Sequence, residues 1–170
     1  MKKTIFTLMF VLASTLVINA QSLTGKQWCT KIADEDGQEI VLILSFEENG
    51  SCEVVMAVEE DMKEDGVPIE LYAGVAIPGT YTLNGKDIKL NLNKGKTNVE
   101  IDYDIKGMDA KTKSLMDKQI RSEIDGMKGE FKKMMLDGMP NMDNIKIVSL
   151  DNKKLVVTLS VGAELTFYAK

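Results

Sequence analysis

"VEIDYDI", residues Val99–Ile105, sets Val99, Ile101, Tyr103 and Ile105 against Glu100, Asp102 and Asp104. Successive side chains of an extended chain point to opposite faces, so this period of two predicts a strand with one buried and one wet face. The same rhythm runs through Ile88, Leu90 and Leu92, and again through Leu155, Val157 and Leu159. Turn residues punctuate these segments: Asp36-Gly37, Asn49-Gly50, Pro78-Gly79, Asn84-Gly85, Lys94-Gly95, Asp151-Asn152 and Gly162. Asn-Gly and Asp-Gly tolerate the positive φ angles of a tight hairpin turn. Strands joined in sequence by short turns form an antiparallel meander, and eight or more of them close into a barrel or a sandwich.

Two strands depart from the in/out rule. Ile40–Leu44 is apolar on both faces, and Val55 and Ala57 give Cys52–Val58 a second apolar face. With Ile40, Leu42, Leu44, Val54 and Met56 inside, Val41, Ile43, Val55 and Ala57 form an outer apolar patch that needs a cover. The expected cover is a helix over about 109–137, packed on the barrel wall or closing one barrel end. Its residues Met116, Ile120, Ile124, Met127, Phe131 and Met134 recur at helical spacing, and Gly138 and Pro140 end it. The acidic stretch Glu59–Pro68 reads as a long solvated loop at a barrel mouth. The fold expected is mainly β: an antiparallel up-and-down barrel of about 8–10 strands with one inserted amphipathic helix packed on it.

The chain opens MKKTIFTLMFVLASTLVINAQ. Two lysines, a short apolar centre and a small residue before Gln21 describe a secretory signal over residues 1–20 and a single barrel domain over 21–170. The expected product is exported, periplasmic or secreted, without a membrane span. The first twenty residues hold two of the 21 basic side chains and none of the 26 acids, so the remainder carries 19 against 26, a net −7. That balance disfavours nucleic acid and anionic membrane as partners, and Arg121 is the sole arginine.

Chemistry is sparsely equipped. There is no histidine, which removes the usual general base and the usual zinc ligand. The expected protein is not an enzyme, has no catalytic residues and no metal site, and needs no cofactor. Asp34–Glu39 contains an Asp-x-Asp-Gly fragment of a calcium loop, but strand-like flanks favour a hairpin turn. Met135, Met139 and Met142 raise Cu(I) binding, since soft thioethers select a soft ion; helical spacing explains most of the methionines as packing. Cys29 and Cys52 are either a disulfide or two separate buried thiols. Parity and an oxidising compartment favour the bridge. Two inter-strand steps of about 9–10 Å in all, against a limit of roughly 7 Å, oppose it.

The entry LTGKQW, the hairpin FEENGSCEV, the run IPGTYTLNGKDIKLNL and the ending LVVTLSVGAELTFYAK resemble small exported bacterial lipocalin-like proteins over nearly the whole mature chain. Here two residues separate Gly25 from Trp28, one more than in the family's Gly-x-Trp. The resemblance implies that Trp28 closes the barrel, that a basic residue such as Lys154 or Lys170 packs over it, and that the interior holds a small hydrophobic molecule. Inward positions of the predicted strands are uncharged. Leu42, Phe46, Met56, Leu71, Tyr103 and Phe167 are the candidate ligand-lining residues, together with Tyr81, Leu90, Ile101 and Val157. The same lining suits a filled barrel acting as a protein-interaction or inhibitor module.

Overall fold

The structure, a computed structural model, describes residues 23–33, 37–64, 67–105, 107 and 110–170. The expected signal segment and Asp34–Asp36 of the calcium-like turn lie outside them. The strands are β1 (Gln27–Ala33), β2 (Glu39–Phe46), β3 (Ser51–Glu64), β4 (Val67–Asn84), β5 (Asp87–Leu92), β6 (Asn98–Ile105), β7 (Asn144–Leu150), β8 (Lys154–Leu159) and β9 (Glu164–Ala169). Among the described residues a long helix, α1, spans Ala110–Asp137. Eight strands pair in the closed order β3-β2-β1-β9-β8-β7-β5-β4 and back to β3, all antiparallel. The fold is an up-and-down barrel with a helix, as the alternation and turns predict.

β6 stands outside the ring. It pairs with Ile69–Ala76 of β4, while β5 pairs with Gly79–Asn84 of the same strand. β5 and β6 therefore lie end to end along one edge of β4, interrupted by a 3-10 turn at Lys94–Lys96. This break explains why Pro78-Gly79 is not a turn. β4 runs straight through both residues. Pro78 falls where the partner changes from β6 to β5, so its missing N–H costs little ladder on that side, and its carbonyl accepts from Asn93 at 2.8 Å. At Gly79 a Cβ would stand 2.7 Å from the carbonyl oxygen of Asn91, so only glycine lets β5 approach.

Within the Glu59–Pro68 stretch, the described residues 59–64 and 67–68 are strand rather than loop. The β3–β4 register continues from Glu59↔Tyr72 to Glu64↔Val67, beyond Ile40↔Val58, where β2 stops. Local polarity suggested a loop, but Ile69, Leu71 and Ala73 on β4 pair onward to Ile105, Tyr103 and Ile101 of β6. Their shared apolar face makes the extension a three-stranded ribbon. α1 packs along β6. Lys132 donates to the carbonyl of Thr97 at one end of β6, and Tyr103 donates to Asp117 nearer the other.

Inward residues form one continuous core: Trp28, Leu42, Leu44, Phe46, Val54, Met56, Val75, Ile88, Leu90, Leu155, Val157 and Phe167 are all buried. α1 packs on the barrel along β6, and its Met135 and Phe131 reach the core. Ile124 and Met135 are buried and Phe131 half-buried, whereas Met127 and Met134 are exposed. Ile124 and Phe131 keep to the predicted stripe, while Met135 takes the buried place expected of Met134. Spacings of three and four allow either register, and the contact with β6 selects this one.

Candidate functional site

The structure splits the six candidate lining residues into two groups. Leu42 and Phe167 are 0% exposed, Phe46 and Met56 1%. A space wide enough for water beside any of them would leave area open to it, so these four side chains meet other side chains and line no hollow. The Tyr81 and Phe46 rings meet edge to face at a centroid distance of 5.0 Å, filling the same layer. Leu71 and Tyr103 are directly paired on β4 and β6, half-buried on the ribbon under α1, and do not share a pocket with the other four.

Trp28 is fully buried, and its Nε1 donates to the carbonyl of Leu23 at 2.8 Å. Gly25, at φ 69°, turns the chain across the barrel end, and its N–H donates to Phe46 at 3.1 Å. The cation over the indole is Lys26, 5.5 Å from the ring centroid, and not Lys154 or Lys170. Its Nζ also reaches Asn152 in the β7–β8 turn. The resemblance implies a cation from near the last strand; the extra residue between Gly25 and Trp28 places it inside the entry motif.

Both cysteines are free thiols. Cys29 pairs with Ile43 on the outer face and Cys52 with Phe46 on the inner face, so the barrel wall separates them and no bridge forms. Burial pushes the Cys52 thiol up to about 11. Met135 and Met142 are buried in the hydrophobic core and Met139 packs against it, so these thioethers fill apolar space.

On the outer wall the predicted apolar patch is present, and α1 packs elsewhere. Cross-strand register aligns Val41, Ala57 and Gly74 in one row and Ile43, Val55 and Ala76 in the next. Val41, Val55, Ala57, Gly74 and Ala76 line a groove of about 330 Å³ across β2, β3, β4 and β6. Gly74 keeps it concave: a Cβ there would stand 3.5 Å from that of Ala57. Tyr72, 41% exposed, flanks the groove together with Glu59, Glu100 and Asp102. Val41, Ile43, Val55 and Ala57 are expected on this wall from the alternation, and Tyr72, Gly74 and Ala76 join them unexpected. Their signal was the run YAGVA, in which both alternating sets lack charge. More polar hollows lie over β4, β5 and β7, lined by Thr80, Thr82, Lys89 and Asn144.

The lone arginine belongs to a third cluster. Arg121 Nε meets Asp117 at 2.9 Å and its guanidinium lies 5.8 Å from the Tyr103 ring centroid. Burial, then the bond and charge of Asp117, push the Tyr103 phenol up to about 12. A neutral phenol donating to a carboxylate ties ribbon to helix; it is not primed as a base.

Among the described residues no helix is long and apolar enough to cross a membrane. The chain matches no protein-family model, and no curated protein matches it.

Proposed function

We propose that this chain is an exported, non-enzymatic barrel that binds another protein through its outer wall, with the interior serving as core. The observation that carries this reading is the contrast between the two faces. Leu42, Phe46, Met56 and Phe167 border no open space, while the groove at Val41, Val55, Ala57 and Gly74 is open and rimmed by Glu59, Glu100 and Asp102. An apolar floor inside an acidic rim suits a partner with apolar anchors and Lys or Arg around them. Export rests on the leader-like first twenty residues. The non-enzymatic reading rests on the absent histidine and on carboxylates placed at outward positions.

The lipocalin-like alternative, a small hydrophobic molecule inside the barrel, shares the same architecture and requires those core side chains to move apart. Nuclear magnetic resonance separates the two. The ¹⁵N-labelled protein is titrated with two short synthetic peptides sharing the same valines, one with lysine and one with glutamate at alternate positions. The lysine peptide is expected to shift the amides of Val41, Val55, Ala57, Gly74 and Ala76, and the glutamate peptide to leave them in place. No shift at the groove with either peptide overturns the proposal. A lipid-sized mass retained by protein purified from its own host, read by native mass spectrometry, favours the interior ligand.

A further inference from the structure

Among the described residues β6 has one strand neighbour, β4, so its other edge carries no ladder. Such an edge presents a row of backbone N–H and C=O groups that another strand can pair with. Its outward residues Asn98, Glu100 and Asp102 are exposed, and two of them also rim the groove. A second copy of β6 laid antiparallel on this edge would set carboxylates against carboxylates, which disfavours pairing. The acids that protect the edge from its own kind select a strand of opposite charge.

We propose that the open edge of β6 receives an extended segment of a partner protein by strand addition. The segment carries Lys or Arg at alternate positions facing Glu100 and Asp102. This rests on the outer-wall reading and specifies how the partner sits: backbone on β6, cationic side chains towards the groove rim. A helix lying in the groove would satisfy the same charges but has no free backbone groups to offer the edge.

The test uses the full protein and a fluorescent synthetic peptide of alternating lysine and valine, read by anisotropy. Two further versions are N-methylated, one at every lysine and one at every valine. Backbone donors of alternate residues point to opposite edges of a strand, so each version loses the donors of one edge only. One version is expected to bind at least roughly tenfold more weakly and the other like the parent, because only one edge faces β6. The double variant Glu100→Lys with Asp102→Lys, both exposed, is expected to weaken the parent peptide by a similar factor. If both methylated versions bind like the parent, strand addition is overturned and the groove reading stands. If the parent does not bind, the groove reading falls and the strand proposal with it. Undiminished binding to the double variant overturns the charge selection.

Discussion

The indole N–H of Trp28 reaches back five residues to the carbonyl oxygen of Leu23, and both side chains are fully buried. Lys26 covers the ring from outside, so one end of the barrel is sealed by three residues of the entry segment. Trp28→Phe leaves the Leu23 carbonyl without its donor and opens a void under Lys26. The expected cost is about 2–4 kcal/mol, combining the lost hydrogen bond with a cavity. Urea denaturation followed by circular dichroism measures it, and an unchanged midpoint would refute the sealing role.

The Tyr103–Asp117 bond makes stability sensitive to alkali. The phenol's ordinary value of 10.0 is raised to about 12 in the folded chain, by burial first and Asp117 second. Between those values the folded state keeps a proton that the unfolded state releases. The contribution is therefore fully present below pH 10 and is lost as pH rises through about 12. Tyr103→Phe should flatten that decline. Tyr81, also raised by burial, should keep a residual slope. Denaturation midpoints across the alkaline range decide the matter.

Glycine substitutions should separate by position. Gly79→Ala drives a methyl to 2.7 Å from a backbone oxygen and 3.0 Å from the Leu92 Cα, which costs about 1–3 kcal/mol as overpacking. Gly126→Ala and Gly129→Ala in α1 meet nothing within 4 Å and should each stabilise by up to roughly 1 kcal/mol. Calorimetric melting of the three variants tests both signs.

Thiol chemistry should follow burial. Without reductant, the unfolded chain is expected to titrate two thiols with Ellman's reagent, as both cysteines are free. In the folded chain Cys52, buried and raised to about 11, should react far more slowly at neutral pH. A bridged pair would give no titratable thiol in either state.

Leu42→Ala should behave as a core truncation. Leu42 is 0% exposed, so the loss should fall in the range of about 2–5 kcal/mol. A side chain lining a hollow already has few neighbours on one side, and its truncation costs less. Urea midpoints of Leu42→Ala beside Val55→Ala, on the outer wall, give the comparison.

Much of this was legible because strand alternation is a local signal. Val99–Ile105 declared both its strand and its two faces, and Gly138 and Pro140 marked the end of a helix expected over about 109–137 and found at Ala110–Asp137. The rest depended on neighbours far along the chain. Glu59–Glu64 is polar enough for a loop and is strand because β4 and then β6 lie beside it. Pro78-Gly79 looks like a turn until the break between β5 and β6 is seen opposite. The outer patch was readable from Val41, Ile43, Val55 and Ala57, but nothing local said that α1 would pack along β6 and leave it to Tyr72, Glu100 and Asp102.

The ring closes where β1 meets β9, at Trp28↔Ala169 and Cys29↔Tyr168, with the N–H of Lys170 donating to Gln27 at 2.9 Å. These partners stand almost the whole length of the chain apart. Every other ring contact except β5 with β7 joins strands that follow one another, so the meander can assemble hairpin by hairpin, and its last seam depends on the final residues. Loop-closure entropy grows only slowly with separation, so the seam limits the order of events more than the final stability. Until the C-terminal strand is free, the tryptophan that seals the barrel has no neighbour on one side. A chain cut short before Glu164 would therefore be an unrolled sheet with an exposed edge, prone to pairing with its own kind.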